Sequence, residues 1–105
     1  MIYNFVSQFT DTPGGRFKKN GPKSGEEFRE DVLIPLIKKL SPKETIHIVL
    51  DGAYGYAISF LEEAFGGLVR KLGKQEVLNK LEFECNDEPD LINQILKYIN
   101  EAEKK

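Results

Sequence analysis

Tryptophan is missing from this 105-residue chain, and cysteine, histidine and methionine occur once each. A single cysteine, Cys85, excludes an internal disulfide. With only His47 beside it, the chain has too few soft ligands for a conventional zinc site, so no metal and no cofactor are expected. No apolar run approaches the roughly 20 residues of a membrane helix. The first residues also lack the basic segment and long apolar stretch of a signal peptide. Together with the lone thiol, these absences read as a cytoplasmic protein with no membrane partner. Charge of one sign is not in excess either: 15 basic side chains face 17 acidic ones, for a net charge of −2. A nucleic-acid binder would show a basic excess or stripe, so that class is set aside. Internal repeats and low-complexity linkers are lacking too, and residues 1–105 are expected to form one domain.

What is present is a succession of strand and helix signals. Residues 2–9 read as a strand ending at the turn Thr12-Pro13-Gly14-Gly15, and residues 16–18 as a short second strand. Ser24-Gly25-Glu26-Glu27 is a capping box that opens a helix, with Phe28, Val32, Leu36 and Leu40 at helical spacing beside Leu33 and Ile37. Pro35 lies inside that run and is expected to kink or split the helix near Ile34. Residues 45–50 are nearly continuously apolar and β-branched, the pattern of an interior strand buried on both faces. After a loop over 51–58, Ser59-Phe60-Leu61-Glu62 reads as a second capping box. It leads a stripe of Leu61, Ala64, Phe65, Leu68, Val69 and Leu72 that ends at Gly73. Leu81, Phe83 and Cys85 alternate with glutamates as a strand wet on one face. Asp87 is expected to cap a last helix carrying Leu91, Ile92, Ile95, Leu96 and Ile99, which frays at Glu103-Lys104-Lys105. The expected fold is therefore α/β, a mixed or largely parallel sheet of about four strands with three flanking helices.

Strands that feed helices gather the helix N-termini at one sheet edge, where ligands and partners of open α/β sheets meet the fold. The loop 51–58 supplies Asp51, Tyr54 and Tyr56 there and delivers Ser59 to a helix N-terminus, a favourable place for a phosphate. Its plainer reading is an N-cap. Gly66 and Gly67 inside a helix each cost about 1 kcal/mol against alanine, so something approaches that backbone closely, from this domain or from a partner. Glu62 and Glu63, adjacent on that helix, are expected to point apart, which makes them poor candidates for a paired acid and base. Arg16, Lys18, Lys19 and Lys23 precede Ser24 and Gly25 as a candidate anion site, although a solvated face is the commoner meaning of such a run. The only histidine and only cysteine stand on strands without motif context, so no catalytic constellation can be assembled and no enzyme is expected.

The stretches Thr12-Pro13-Gly14-Gly15-Arg16, Ser24-Gly25-Glu26-Glu27-Phe28-Arg29 and Asp51-Gly52-Ala53-Tyr54-Gly55-Tyr56 resemble the prokaryotic STAS-like domain of unknown function. So does the more specific run Ser59-Phe60-Leu61-Glu62-Glu63-Ala64-Phe65-Gly66-Gly67-Leu68. That family is in turn similar to STAS domains, among them anti-sigma-factor antagonists. The resemblance implies a single STAS-like domain that acts as a regulatory protein-binding module, with a histidine-kinase-like ATPase as the kind of partner. By position it makes Ser59 the counterpart of the antagonists' regulatory phosphoserine. Where antagonists carry Asp-Ser-Ser-Gly, this chain has Ala57-Ile58-Ser59-Phe60. The expected partner surface comprises Asp51, Tyr54, Tyr56, Glu62, Glu63, Gly66 and Gly67, on the loop and the exposed side of the helix that follows. A domain binding a small ligand, nucleotide or anion at the same edge is the alternative.

Overall fold

Three short strands, β1 (Ile2–Asn4), β2 (Ile46–Val49) and β3 (Leu81–Glu84), form a wholly parallel sheet in the order β1-β2-β3. The computed structural model in which they are seen describes residues 1–102. The register aligns Ile2 with His47 and Glu82, and Tyr3 with Ile48 and Phe83. β2 is the interior strand, as its β-branched run predicts. It is not buried on both faces: Ile46 and Ile48 are buried while His47 and Val49 are partly exposed. A continuous apolar run reports β propensity, and it does not report what covers each face.

The helices account for the other departures. β1 stops at Asn4, whose side chain caps a single helical turn, α1 (Phe5–Gln8), where a longer strand was expected. No strand forms at residues 16–18. Lys18–Asn20 is a 3-10 turn, and the preceding loop instead binds the start of the next helix through its carbonyls. That helix, α2, runs over residues 25–39 as Gly25–Glu27, a π segment Phe28–Leu33, and Ile34–Lys39. Ser24 caps it, accepting from the Glu27 amide at 3.0 Å, and Glu27 reaches back one residue further than expected, to the Lys23 amide at 2.9 Å. Pro35 does not split α2. Directly before it the Ile34 amide bonds to the Arg29 carbonyl, five residues back. This wider turn shifts the carbonyls against which the proline ring would otherwise clash.

Helix α3 spans 58–72 in the same three-part way, as Ile58–Leu61, the π segment Glu62–Gly66, and Gly67–Leu72. Gly73 ends it with φ 92°, as the sequence predicts. The stretch after Gly73 is a further short helix, α4 (Lys74–Lys80), which the sequence did not announce. The last helix, α5, is Asp90–Glu101, and its cap position is Pro89 rather than Asp87. The fraying expected at 103–105 falls outside the described residues. Among the described residues the sheet thus has three strands, not four, and besides the 3-10 turn there are five helices, not three.

One core joins all of these. Phe5 and Phe28 meet at a centroid distance of 5.0 Å, Phe5 and Tyr56 at 5.1 Å, and Phe65 meets Phe83 edge-on at 5.4 Å. Leu91, Ile95 and Ile99 close it from α5. From Leu61 to Val69 every residue of α3 except Glu62 is buried, so α3 is the central helix of the molecule.

Candidate functional site

The carboxyl ends of β2 and β3 are clamped together by two aspartates. Asp51, two residues beyond the end of β2, accepts from the backbone amides of Asn86 and Asp87, the latter at 2.8 Å. Asp87 returns the contact, accepting from the Gly52 amide at 2.9 Å and from the Cys85 thiol at 3.2 Å. The Gly52 amide and the thiol hold the Asp87 carboxyl below its ordinary range. Burial, and the bond to Asp87, push the Cys85 thiol up to about 11. Asp87 therefore braces two loops instead of capping α5. The triad Asp51, Cys85 and Asp87 has ligand-type atoms within 4.8 Å of one another. Hydrogen bonds inside the fold account for each of its members.

The loop over this clamp is fixed at two more points. Tyr56 donates to the Leu50 carbonyl at 2.9 Å and lies against Phe5 and Phe60, and burial raises its phenol pKa. The Tyr54 amide donates to the Asp11 carbonyl at 2.9 Å. Tyr54 itself is 84% exposed, and Ile58, in the first turn of α3, is 68% exposed. Large apolar surface held out on a braced backbone is what a contact surface requires. The sequence places Ile58 at the end of the loop and does not single it out, because one apolar residue there carries no periodic signal.

Ser59 does not cap α3. Ala57 holds the cap position with extended backbone, φ −66° and ψ 145°, and no side chain bonds the free amides there. Ser59 is the second residue inside the helix and is partly exposed.

The other expected partner residues are drawn inward. Glu62 and Glu63 do not diverge as neighbours on a helix should, because both accept from Arg16 Nη1, at 2.7 and 3.1 Å. Glu62 also accepts from Arg70 Nη1 at 2.7 Å. Glu63 receives Arg29, which donates to its carbonyl at 2.7 Å and to its carboxylate at 2.5 Å. Arg29 Nε donates to Glu30 at 2.8 Å. The result is a chain of alternating charge, Arg70-Glu62-Arg16-Glu63-Arg29-Glu30, that runs from α3 through the N-terminal loop to α2. Arg70 first, then Arg16, holds the Glu62 carboxyl below its ordinary range. Burial works against the Arg29 charge, but the bonds to Glu30 and Glu63 more than offset it and raise its pKa.

Gly66 and Gly67 belong to this same chain. A β-carbon on Gly67 would collide with the Arg29 guanidinium, and one on Gly66 would lie 2.5 Å from Glu62 Oε2. The close approach foreseen for the paired glycines is therefore made from within the domain. The same rule governs Gly25, whose β-carbon would lie 2.5 Å from the Phe60 carbonyl where α2 crosses α3.

The expected anion site is not assembled. The first amides of α2 are already bonded: Gly25 donates to the Gly15 carbonyl at 2.9 Å and Glu26 to the Arg16 carbonyl at 3.0 Å. Ser24 and Gly25 are buried. Arg16 is committed to the two glutamates, and Lys18 Nζ lies 3.1 Å from Asp31. Lys19 and Lys23 sit over the rings of Phe17 and Phe9, at 5.6 and 4.9 Å.

A family model described as the STAS-like domain of unknown function (DUF4325) matches residues 24–91. This chain belongs to that family. The matched span of this STAS-like chain runs from the Ser24 cap through β2, the clamp loop, the π segment of α3 and β3 into α5, and so contains most of the charged chain but not Arg16. No curated protein and no solved structure matches it. Among the described residues, no helix is long and apolar enough to cross a membrane.

Proposed function

We propose that this STAS-like domain is a non-catalytic regulatory module that binds a protein partner through the carboxyl edge of its sheet, with Tyr54 and Ile58 as the anchors. The observation that carries this reading is the exposure of these two side chains, 84% and 68%, on a loop fixed by the Asp51, Asp87 and Tyr56 bonds. A pre-ordered loop loses little conformational entropy on binding. Glu63, Gly66 and Gly67 are buried and do not take part in this surface. Resemblance to anti-sigma-factor antagonists favours a histidine-kinase-like ATPase as the partner and Ser59 as the phosphoacceptor. A phosphate on the second residue of α3 faces a helix N-terminus, where its charge is tolerated by the fold, while a partner seated on Ile58 would have to desolvate it. The anion-binding alternative loses its motivation once the amides of α2 are occupied.

The test compares wild type with Tyr54→Ala/Ile58→Ser as baits in lysate of the source cells, followed by titration of whatever protein wild type retains. Loss of two interface anchors weakens binding by at least about thirty-fold, the equivalent of about 2 kcal/mol. Ser59→Asp gives a comparable loss with an unchanged melting temperature. Equal affinity of all three chains overturns the reading.

A further inference from the structure

All-parallel sheets are almost always covered on both faces, because their crossover helices lie on them. Here, among the described residues, the core packs on one face only, and His47, Val49 and Glu84 on the other are partly exposed. Tyr3, Ile46, Ile48, Leu81 and Phe83 contribute to the core. The other face carries Ile2, Asn4, His47, Val49, Glu82 and Glu84, and among the described residues no core contact reaches Ile2 or Val49. Ile2 is 72% exposed, and the side chains of Glu82 and Glu84 are 61% and 43% exposed.

The chemistry of this face is graded across its width. The β1 side is apolar at Ile2, and Val49 stands in the middle. The β3 side is a ridge of two carboxylates that converge on His47, with Nε2 2.8 Å from Glu84 and Nδ1 3.5 Å from Glu82. The ridge is negative whether the imidazole is neutral or protonated. Outer strands of a three-stranded sheet are about 10 Å apart, close to the diameter of about 10–12 Å of one helix.

We propose that the open sheet face is a docking surface for one amphipathic helix of a partner protein, with its apolar stripe on Ile2 and Val49 and a lysine- or arginine-bearing flank against Glu82 and Glu84. Charge favours this occupant over a second copy of the chain, which would set the carboxylate ridge against another ridge or against Ile2 and in neither case bring a side-chain cation for Glu82 and Glu84 beyond the His47 each copy already holds. The surface uses none of the Tyr54 and Ile58 side chains, and it adjoins their loop at Asn86, which bonds both Glu84 and Asp51.

The probe is a synthetic leucine/lysine amphipathic helix of about 18 residues, roughly five turns, titrated into the isotope-labelled full chain and followed by backbone amide NMR. A leucine/glutamate peptide of the same pattern serves as control. Shifts should concentrate on Ile2, His47, Val49, Glu82 and Glu84, and the glutamate peptide should cause none. Glu82→Lys/Glu84→Lys should weaken binding at least about ten-fold, the scale of losing close charge pairs at an interface. Ile2→Ser/Val49→Thr leaves the His47 bonds intact and should weaken it too, which keeps the test decisive if charge reversal disturbs folding. Tyr54→Ala/Ile58→Ser should leave it unchanged. Shifts confined to the 54–58 loop, equal binding of the two peptides, or unchanged affinity in both face variants would overturn the proposal. A dimer in sedimentation that Ile2→Ser/Val49→Thr dissociates would overturn it as well, with a second copy as the occupant.

Discussion

Replacing Gly66 and Gly67 one at a time by alanine should give opposite results, although the two are adjacent in one helix. Both have ordinary helical backbone, φ −64° and −60°, so alanine is free of conformational strain at either and gains about 1 kcal/mol of helix propensity. The difference lies in what the new methyl meets. At Gly67 it meets the Arg29 guanidinium, whose side chain is 7% exposed and is bonded to the carboxylate and carbonyl of Glu63. Moving that guanidinium breaks a buried ion pair, at about 3–5 kcal/mol. Net of the propensity gain, Gly67→Ala should destabilise by about 2–4 kcal/mol. At Gly66 the methyl meets the far end of Glu62, whose side chain is 27% exposed and paired with the 29% exposed Arg70. An ion pair as wet as this contributes about 0–1 kcal/mol, so Gly66→Ala should be close to neutral. Thermal and urea melts measure both. Each kcal/mol is worth about 4–8 °C in a domain of this size, so the two variants should separate by at least about 8 °C. The triple comparison with Arg29→Met and Gly67→Ala/Arg29→Met identifies the cause, because the double variant should cost less than the sum of the singles. Equal melting temperatures for the two glycine variants, or additive costs in the cycle, would refute the argument.

Other outcomes follow from the same geometry. Ser59→Ala should change stability by less than about 0.5 kcal/mol, because Ser59 is not a cap, whereas Ser24→Ala should cost about 1–2 kcal/mol; paired chemical melts decide it, and equal losses would restore Ser59 as a cap. The bond to Glu84, then that to Glu82, raises the His47 pKa. A raised folded value means that the pair's stabilisation is complete below about pH 6.5 and fades as pH climbs through the folded pKa. An NMR titration of the imidazole should place that midpoint above the ordinary value and show it fall in Glu84→Gln; an unmoved midpoint contradicts the contact. With its pKa near 11, Cys85 should be about a thousandth ionised at pH 8 and react with iodoacetamide far more slowly in the native chain than in denaturant, as mass spectrometry would record. Equal rates would place the thiol at the surface.

Local chemistry carried most of what could be read from the residues alone. The Ser24 cap, the Gly73 stop and the core spacing of α3 and α5 depend on neighbours within a turn or two, and they stand where their patterns put them. In α2 the buried line runs through Phe28, Leu33 and Ile37, with Val32, Leu36 and Leu40 only partly buried. α4 escaped notice because its only buried side chain is Val77, while Leu78 is 38% exposed, so no stripe forms. The Ser59 assignment failed because Ala57, two residues earlier, turns into the helix by backbone geometry alone, without a side-chain signal. The clamp was not legible: Asp87 reads as a cap and Asp51 as a surface residue, and that the amides of Asn86 and Asp87 meet Asp51 depends on β2 and β3 being neighbours. The charged chain was invisible, since Arg16, Arg29 and Glu63 are brought together only by the close crossing of α2 and α3.

Both long helices contain a π segment, Phe28–Leu33 in α2 and Glu62–Gly66 in α3. A turn closed five residues back holds one residue more than a turn closed four back. The α segments on either side therefore keep the rotational phase they would have in a plain helix one residue shorter. Elsewhere in α2 or α3, losing a residue would turn everything beyond it by about 100° and carry Ile37 or Leu68 off the core. Within these two wide turns a single-residue deletion can close the backbone into ordinary α-helix with the flanking faces still in place. Natural length variation of one residue in this fold is thus expected to concentrate at these two turns.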